Sequence, residues 1–317
     1  MDKASRILSY IAEKGWLVGA RQCFFLAAGE YNENYRVVAE DGEYVFRINH
    51  GTQLGLARQI EYEFQVLQAV FPSGVTPRPF FFSLDGRDLG QGVLLMEYIP
   101  GRALDYRADL KVAARIFARI HALPADSRLL VQADPLSAIG AESLGLIHRY
   151  SSDQYGGVRK LLLTYHEHIK DLAHTAAAMF AEEPLCMVNT EVNSGNFLIH
   201  PQRSCLVDWE KAVVSCRYQD LAHFLVATTT LWKTDCCLTA EEKKAFLATY
   251  RQALGLSLSL SELIEKTAFM EKVILLRALS WCYMAYHEYT SLNRALTNDA
   301  TFKKIVSYLD EAGCFLQ

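Results

Sequence analysis

The period of the hydrophobic pattern changes about a third of the way along the chain. Residues 3–14 place Ile7, Leu8, Ile11 and Ala12 at the spacing of a short amphipathic helix. Cys23–Ala27 is an apolar, strand-like run. Gly29 then opens Gly-Glu-Tyr-Asn-Glu-Asn-Tyr, and Tyr35–Ala39 returns as a second strand. Asp41-Gly42 signals a tight hairpin, and Tyr44–Ile48 alternates as the third strand. Leu54–Phe71 switches to helical spacing, with Leu56, Ile60, Phe64, Leu67 and Val70 on one side. Pro77 and Pro79 break it. Phe80–Ser83 and Val93–Tyr98 read as two more strands around an Asp85-Gly86 turn. Five strands with one inserted helix make the simplest assembly, and Pro100-Gly101 ends it.

Beyond that point the pattern is mostly helical. Leu110–Leu123, Val158–Glu182, Asp220–Leu231, Ala240–Leu254, Ser261–Tyr289 and Thr301–Glu311 all carry helical spacing. Residues 124–156 are polar and Ser-rich and give no assignment. Phe197–His200 and Cys205–Val207, around a short polar turn, are the only convincing strands of this half. The expectation is an α+β, two-lobed chain: a small antiparallel β-sheet lobe with one helix over 1–98, and a larger, mostly helical lobe over 99–317 with a polar hairpin at 188–210.

Composition narrows the function. The chain has 317 residues, 51% hydrophobic and 21% charged, enough to bury a core in each lobe. The net charge of −4 and the absence of a Lys/Arg block argue against nucleic acid or an anionic membrane as the main partner. Eight cysteines include no C-x-x-C spacing, which predicts a reduced, cytoplasmic chain without a zinc site. No run reaches the ~18 apolar residues of a membrane span, and no signal-peptide core follows the N-terminus.

The 188–210 hairpin holds the candidate chemistry. Glu191 precedes Asn196 by five positions, the gap between base and metal ligand in the kinase catalytic loop. Asp208 follows an apolar strand, as the metal-binding Asp of kinases does. Phosphoryl transfer needs divalent metal, a cation on the phosphates and a carboxylate at the acceptor hydroxyl. Asn196 and Asp208 are hard oxygen ligands suited to Mg²⁺. Arg47 occupies the third strand, where kinases carry a phosphate-binding lysine, and Glu61 or Glu63 on the following helix could pair with it. Glu63 fits better, because it flanks the buried Leu67 side. Gly29 and Asn32 lie in the loop between the first two strands, where kinases cover the phosphates; a plain hairpin connection fits that loop equally well.

These motifs resemble the aminoglycoside phosphotransferase and choline kinase family, which has a protein-kinase-like fold. The resemblance rests on Asn189-Thr190-Glu191-Val192-Asn193-Ser194-Gly195-Asn196 and Val207-Asp208-Trp209-Glu210. Met96-Glu97-Tyr98-Ile99-Pro100-Gly101, Ala118-Arg119-Ile120-His121 and Asp220-Leu221-Ala222 support it. It covers residues 20 to 230 or so. It implies ATP in the cleft with backbone contacts near Met96, Glu97 and Tyr98, Mg²⁺ on Asn196 and Asp208, and Arg47 as the phosphate clamp. It further implies a small-molecule hydroxyl as acceptor, on an amino alcohol, sugar or aminoglycoside-like compound. Two positions depart from the family: Glu191 stands for its catalytic Asp, and Asn189 for its His. A pseudokinase-like nucleotide-binding module and transfer of another part of the nucleotide are the competing readings. Ser280–Tyr289 is dense in aromatics; an aromatic cage for an amine competes there with plain helix core. His121, His223 and His287 read as structural.

Overall fold

The computed structural model describes residues 2–151, 154–291 and 298–316. Helix α1 (Lys3–Lys14) is capped by the Asp2 side chain and stopped by Gly15 in the left-handed conformation. Strands β1 (Gln22–Ala28), β2 (Asn32–Ala39) and β3 (Gly42–Asn49) follow, then helix α2 (Gln59–Val70), β4 (Pro79–Ser83) and β5 (Gly92–Glu97). The five strands form one antiparallel sheet in the order β1-β2-β3-β5-β4. Strand alternation sorts its two faces. Phe46 and Ile48 of β3 pack with Ile7, Tyr10 and Ile11 of α1 on the outer face. Val45 turns to the opposite face, into the core containing Ile60, Val66 and Leu67 of α2.

The larger lobe contains α3 (Leu110–His121), α4 (Pro135–Arg149), α5 (Gly156–Phe180), β6 (Leu185–Val188), β7 (Phe197–Leu198), β8 (Cys205–Leu206) and β9 (Val213–Cys216). Helices α6 (Tyr218–Leu225), α7 (Ala227–Lys233), α8 (Ala240–Leu254), α9 (Leu260–Ser291), α10 (Asp299–Asp310) and α11 (Ala312–Phe315) complete it. Helices α4, α5, α6 and α10 pack around α9, and α3 packs on α8. Phe117, Phe197, Phe224 and Phe246 meet edge-on and stacked at the centre, which fixes β7 against α3, α6 and α8.

The two-lobed α+β expectation matches this architecture, with several local corrections. Helix α2 starts at Gln59, not Leu54, because the Thr52 hydroxyl accepts from the N–H groups of Leu54 and Leu56 and holds 52–56 as a turn. Strand β2 starts at Asn32, so the β1–β2 connection is only Gly29–Tyr31. The unassigned 124–156 stretch contains α4, whose Asp134 side chain caps Ser137 N ahead of Pro135. Strands β6 and β9 add a ladder that the pattern missed, pairing Met187 with Val214. The helix expected over 220–231 breaks at Val226, which is extended (φ −68°, ψ 142°).

After β5 the chain crosses to the larger lobe at Pro100-Gly101. A side chain at Gly101 would come within 3.0 Å of the Leu198 backbone. That close approach lets Arg102 and Ile199 exchange backbone hydrogen bonds of 3.1 and 2.7 Å. The crossing segment is thus laid directly on the β7–β8 hairpin.

Candidate active site

The β7–β8 ladder pairs Phe197 with Leu206 and Leu198 with Cys205. It therefore sets Asn196, just before β7, beside Val207, just after β8; Val207 N donates to Asn196 O at 2.8 Å. Asp208 comes next, with a left-handed backbone (φ 64°). Asn189 holds that conformation: its Nδ2 donates to Asp208 O at 2.8 Å, while its Oδ1 accepts from Glu191 N at 3.0 Å. One side chain thus fixes both acidic positions.

Thr190 is also left-handed (φ 66°), an unusual conformation for a β-branched residue. The surroundings over-determine it. Asp220 is fully buried and accepts from Asn189 N at 2.9 Å and Thr190 N at 2.8 Å. His121 Nε2 lies 3.2 Å from the same carboxylate, with Tyr250 Oη 2.9 Å from its Nδ1. Thr190 Oγ1 donates to Lys211 O at 2.9 Å, and Arg277 Nη2 donates to Thr190 O at 2.9 Å.

The small lobe meets this loop through β2, β3 and α2. Arg47 faces Asn34 across the β2–β3 register, and its Nε donates to Asn34 Oδ1 at 2.9 Å. Its Nη1 donates to Asp208 Oδ1 at 2.9 Å and also to Glu63. Burial works against the Arg47 charge, but Glu63, Asp208 and Glu210 outweigh it and raise its pKa. Burial pushes the Glu63 carboxyl up to about 7 against the pull of Arg47. Glu61 pairs instead with Arg58 on the surface. Asn32 is buried; its Nδ2 donates to Glu210, and its Oδ1 accepts from Asn49 Nδ2 at 2.9 Å.

Carboxylate oxygens of Glu191, Asp208 and Glu210 all lie within 4.8 Å of one another. Burial first, then mutual repulsion, raises the pKa of Glu210 well above the usual carboxylate range. Burial also raises Glu191, with Asp208 adding to the rise and Lys211 and Arg277 opposing it. Asn196 Nδ2 donates to Glu191 O at 2.6 Å, which leaves Oδ1 as its free hard donor. Three converging carboxylates and an amide oxygen suit Mg²⁺ in chemistry and number.

A cavity of about 650 Å³ runs from the sheet to α9. Leu26, Gly29, Val45, Met96, Tyr98 and Ile99 line one end, and Trp232, Arg277, Trp281 and Tyr308 the other. Glu191 and Asp208 line it as well. Met96 and Tyr98 stand where the crossing segment begins. Tyr98 N donates to Glu43 O at 3.3 Å and Glu97 N to Arg78 O at 2.8 Å. The Glu97 side chain forks with Arg203 at 2.7 and 3.0 Å, tying the segment to the β7–β8 turn. At Gly29 a side chain would meet nothing within 4 Å.

A model of the phosphotransferase enzyme family matches residues 24–262. The chain belongs to that family. This phosphotransferase is similar in fold to the Plasmodium vivax ethanolamine kinase (TM-score 0.67, 14% identity, 92% of this chain and 82% of that one). It is also similar to the choline kinase LicA from Streptococcus pneumoniae (TM-score 0.63, 17% identity, 97% and 98%). A third similar structure is a spectinomycin phosphotransferase in complex with ADP and spectinomycin (TM-score 0.60, 12% identity, 98% and 94%). No curated protein sequence matches the chain. The family resemblance drawn from the motifs is borne out. Among the described residues no helix of this phosphotransferase is long and apolar enough to cross a membrane.

The aromatic stretch of α9 divides differently from the cage reading. Tyr283, Met284, Ala285 and Tyr286 are buried core. Trp281 alone of the Ser280–Tyr289 aromatics lines the cavity, beside Trp232 of α7 and Tyr308 of α10. His121 is buried in the Asp220 network; His287 is buried too, whereas His223 lines the cavity. Sequence reasoning missed Lys211, His223 and Arg277 as site residues. The readable signal for Arg277 was a single charge inside the apolar run Val273–Leu279.

Proposed function

We propose that this phosphotransferase moves the γ-phosphoryl group of ATP to a hydroxyl of a small molecule, an amino alcohol, sugar or aminoglycoside-like compound, with Mg²⁺ present. The observation that carries the reading is the convergence of Arg47, Asn196, Asp208 and Glu191 on one cavity. Asn196 and Asp208 would hold Mg²⁺, with Glu210 beside them. Bound Mg²⁺ supplies the positive charge that neutralises the phosphates.

Arg47, held in place by Glu63 and Asn34, presents a fixed cation to the phosphates. Val45, Met96 and Ile99 supply an apolar wall on which the adenine would rest. Glu191 accepts the acceptor's hydroxyl proton as the oxygen–phosphorus bond forms and the bond to the β-phosphate oxygen breaks, leaving ADP. Burial raises its pKa, and a more basic carboxylate is a better proton acceptor. Asn189, Asn196 and Asp220 position that carboxylate by gripping the backbone on either side of it.

A screen of hydroxyl compounds by nucleotide consumption, with Asp208→Ala as control, tests the reading. ATP loss that depends on both acceptor and Mg²⁺, and is absent in the control, is the expected result. Nucleotide binding without consumption across the panel would favour a pseudokinase-like module, and products carrying another part of the nucleotide would favour a different transfer.

A further inference from the structure

We propose that the acceptor carries an oxyanion, a carboxylate or a phosphate monoester, in addition to its reactive hydroxyl, and that Arg277 receives it. The inference rests on the phosphotransferase reading above and narrows its substrate class.

Arg277 is only 7% exposed, yet it lines the cavity on the α9 side. Its Nη2 donates to Thr190 O, the residue next to Glu191, and lies 3.1 Å from His223 Nδ1. Arginine only donates, so that ring nitrogen is unprotonated and His223 is neutral. Burial, Arg277 and Lys211 all hold the His223 pKa well below its ordinary value. Among the described residues no carboxylate lies within the 4.0 Å ion-pair distance of Arg277. Glu142 and Glu191 attract Arg277 only from beyond contact distance, so its guanidinium faces the cavity without a direct ion pair, and its planar fork matches an oxyanion.

The surrounding charge points the same way. Glu142 is neutralised by Lys211 Nζ at 2.9 Å. Glu30, at the rim, accepts from Tyr289 Oη at 2.9 Å. Lys233, exposed at the end of α7, lines the same wall and has no carboxylate within ion-pair distance among the described residues. Beside Arg277 at the same end stand Trp232 and Trp281, with ring centroids 5.9 Å apart and planes at 76°, and Tyr308. A cationic acceptor would meet Arg277 on this wall, where the nearby Glu142 is already paired with Lys211. An acidic one would find a donor fork beside the base and an apolar wall for its body.

The test compares matched pairs that differ only in the anionic group: homoserine with aminopropanol, hydroxymethylbenzoate with benzyl alcohol, and glycerol phosphate with glycerol. Binding is measured by calorimetry with and without Mg²⁺ and a non-hydrolysable ATP analogue, and turnover with ATP. The expected result is an acid member favoured on the order of 10²-fold over its counterpart, a difference that Arg277→Met erases and Arg277→Lys keeps in part. Which pair responds distinguishes carboxylate from phosphate. A merely structural Arg277 would lower turnover of both members alike. The inference is overturned if the counterparts bind as well as the acids, if no acid binds to protein that still binds nucleotide, or if Arg277→Met leaves the preference intact. Failure to bind nucleotide would instead overturn the phosphotransfer reading.

Discussion

Arg47 of the small lobe and Asp208 of the larger one meet at 2.9 Å, Nη1 to Oδ1. The contact joins the third strand of the sheet to the end of the β7–β8 hairpin, so the proposed phosphate-binding cation and the proposed metal-binding carboxylate are set by one another. Glu63 and Asn34 anchor the arginine independently of the aspartate.

Asp208→Ala is expected to abolish Mg²⁺-dependent nucleotide binding while leaving the chain folded. Calorimetric titration of the variant with nucleotide, with and without Mg²⁺, measures it. Unchanged metal dependence would remove Asp208 from the metal site.

Glu191→Ala should spare nucleotide binding and lower turnover by roughly 10²–10⁴-fold, the usual contribution of a general base. Glu191→Asp restores the family's residue type, yet it withdraws the carboxylate by about 1 Å, and displacement on that scale costs ~10²-fold. A faster aspartate variant in steady-state kinetics would show that the loop is not built around the longer side chain.

Asp220→Ala leaves the buried N–H groups of Asn189 and Thr190 without their acceptor. Unsatisfied buried donors cost about 1–3 kcal/mol each, so a loss of about 3 kcal/mol or more is expected in urea denaturation. Stability within 1 kcal/mol of the parent would mean that another group takes over both donors.

Asp109 grips Arg102 through two hydrogen bonds of 2.6 and 3.0 Å at the crossing between lobes. The Arg102 side chain holds its pKa below the ordinary carboxylate value. A carboxyl lowered on folding contributes stability above its unfolded pKa and loses it as pH falls through the folded value. The stability gap between the parent and Asp109→Asn should therefore be full near neutrality and shrink in acid. Denaturation midpoints at several pH values measure it, and a gap that widens in acid would contradict the assignment.

Residues close in sequence were the legible part of this fold. Asp41-Gly42 and the alternation around it announced the sheet, because a hairpin's register is local. Glu191, Asn196 and Asp208 were legible through spacing, since all three fall within one short stretch around the β7–β8 hairpin. Glu63 followed from the helix face that holds Leu67. Strands β6 and β9 were invisible because each is four residues long and its partner lies on the far side of the β7–β8 hairpin. Arg277 and Trp232 were hidden for a related reason. Each sits on a helix whose spacing reads as ordinary core, and only the packing of α9 against α6 brings Arg277 to Thr190.

Four side chains of the small lobe end on a single stretch of the larger one. Asn32 reaches Glu210, Arg47 reaches Asp208, Gln59 Nε2 donates to Glu210 O at 2.7 Å, and Tyr62 Oη donates to Ala212 O at 2.7 Å. Val45, Leu94 and Met96 share a continuous apolar core with Phe197 and Leu206. The two lobes are therefore one thermodynamic unit rather than two beads on a string. Heating should melt the chain in a single cooperative transition, and residues 1–98 made alone should stay unfolded, stripped of the surface that completes them.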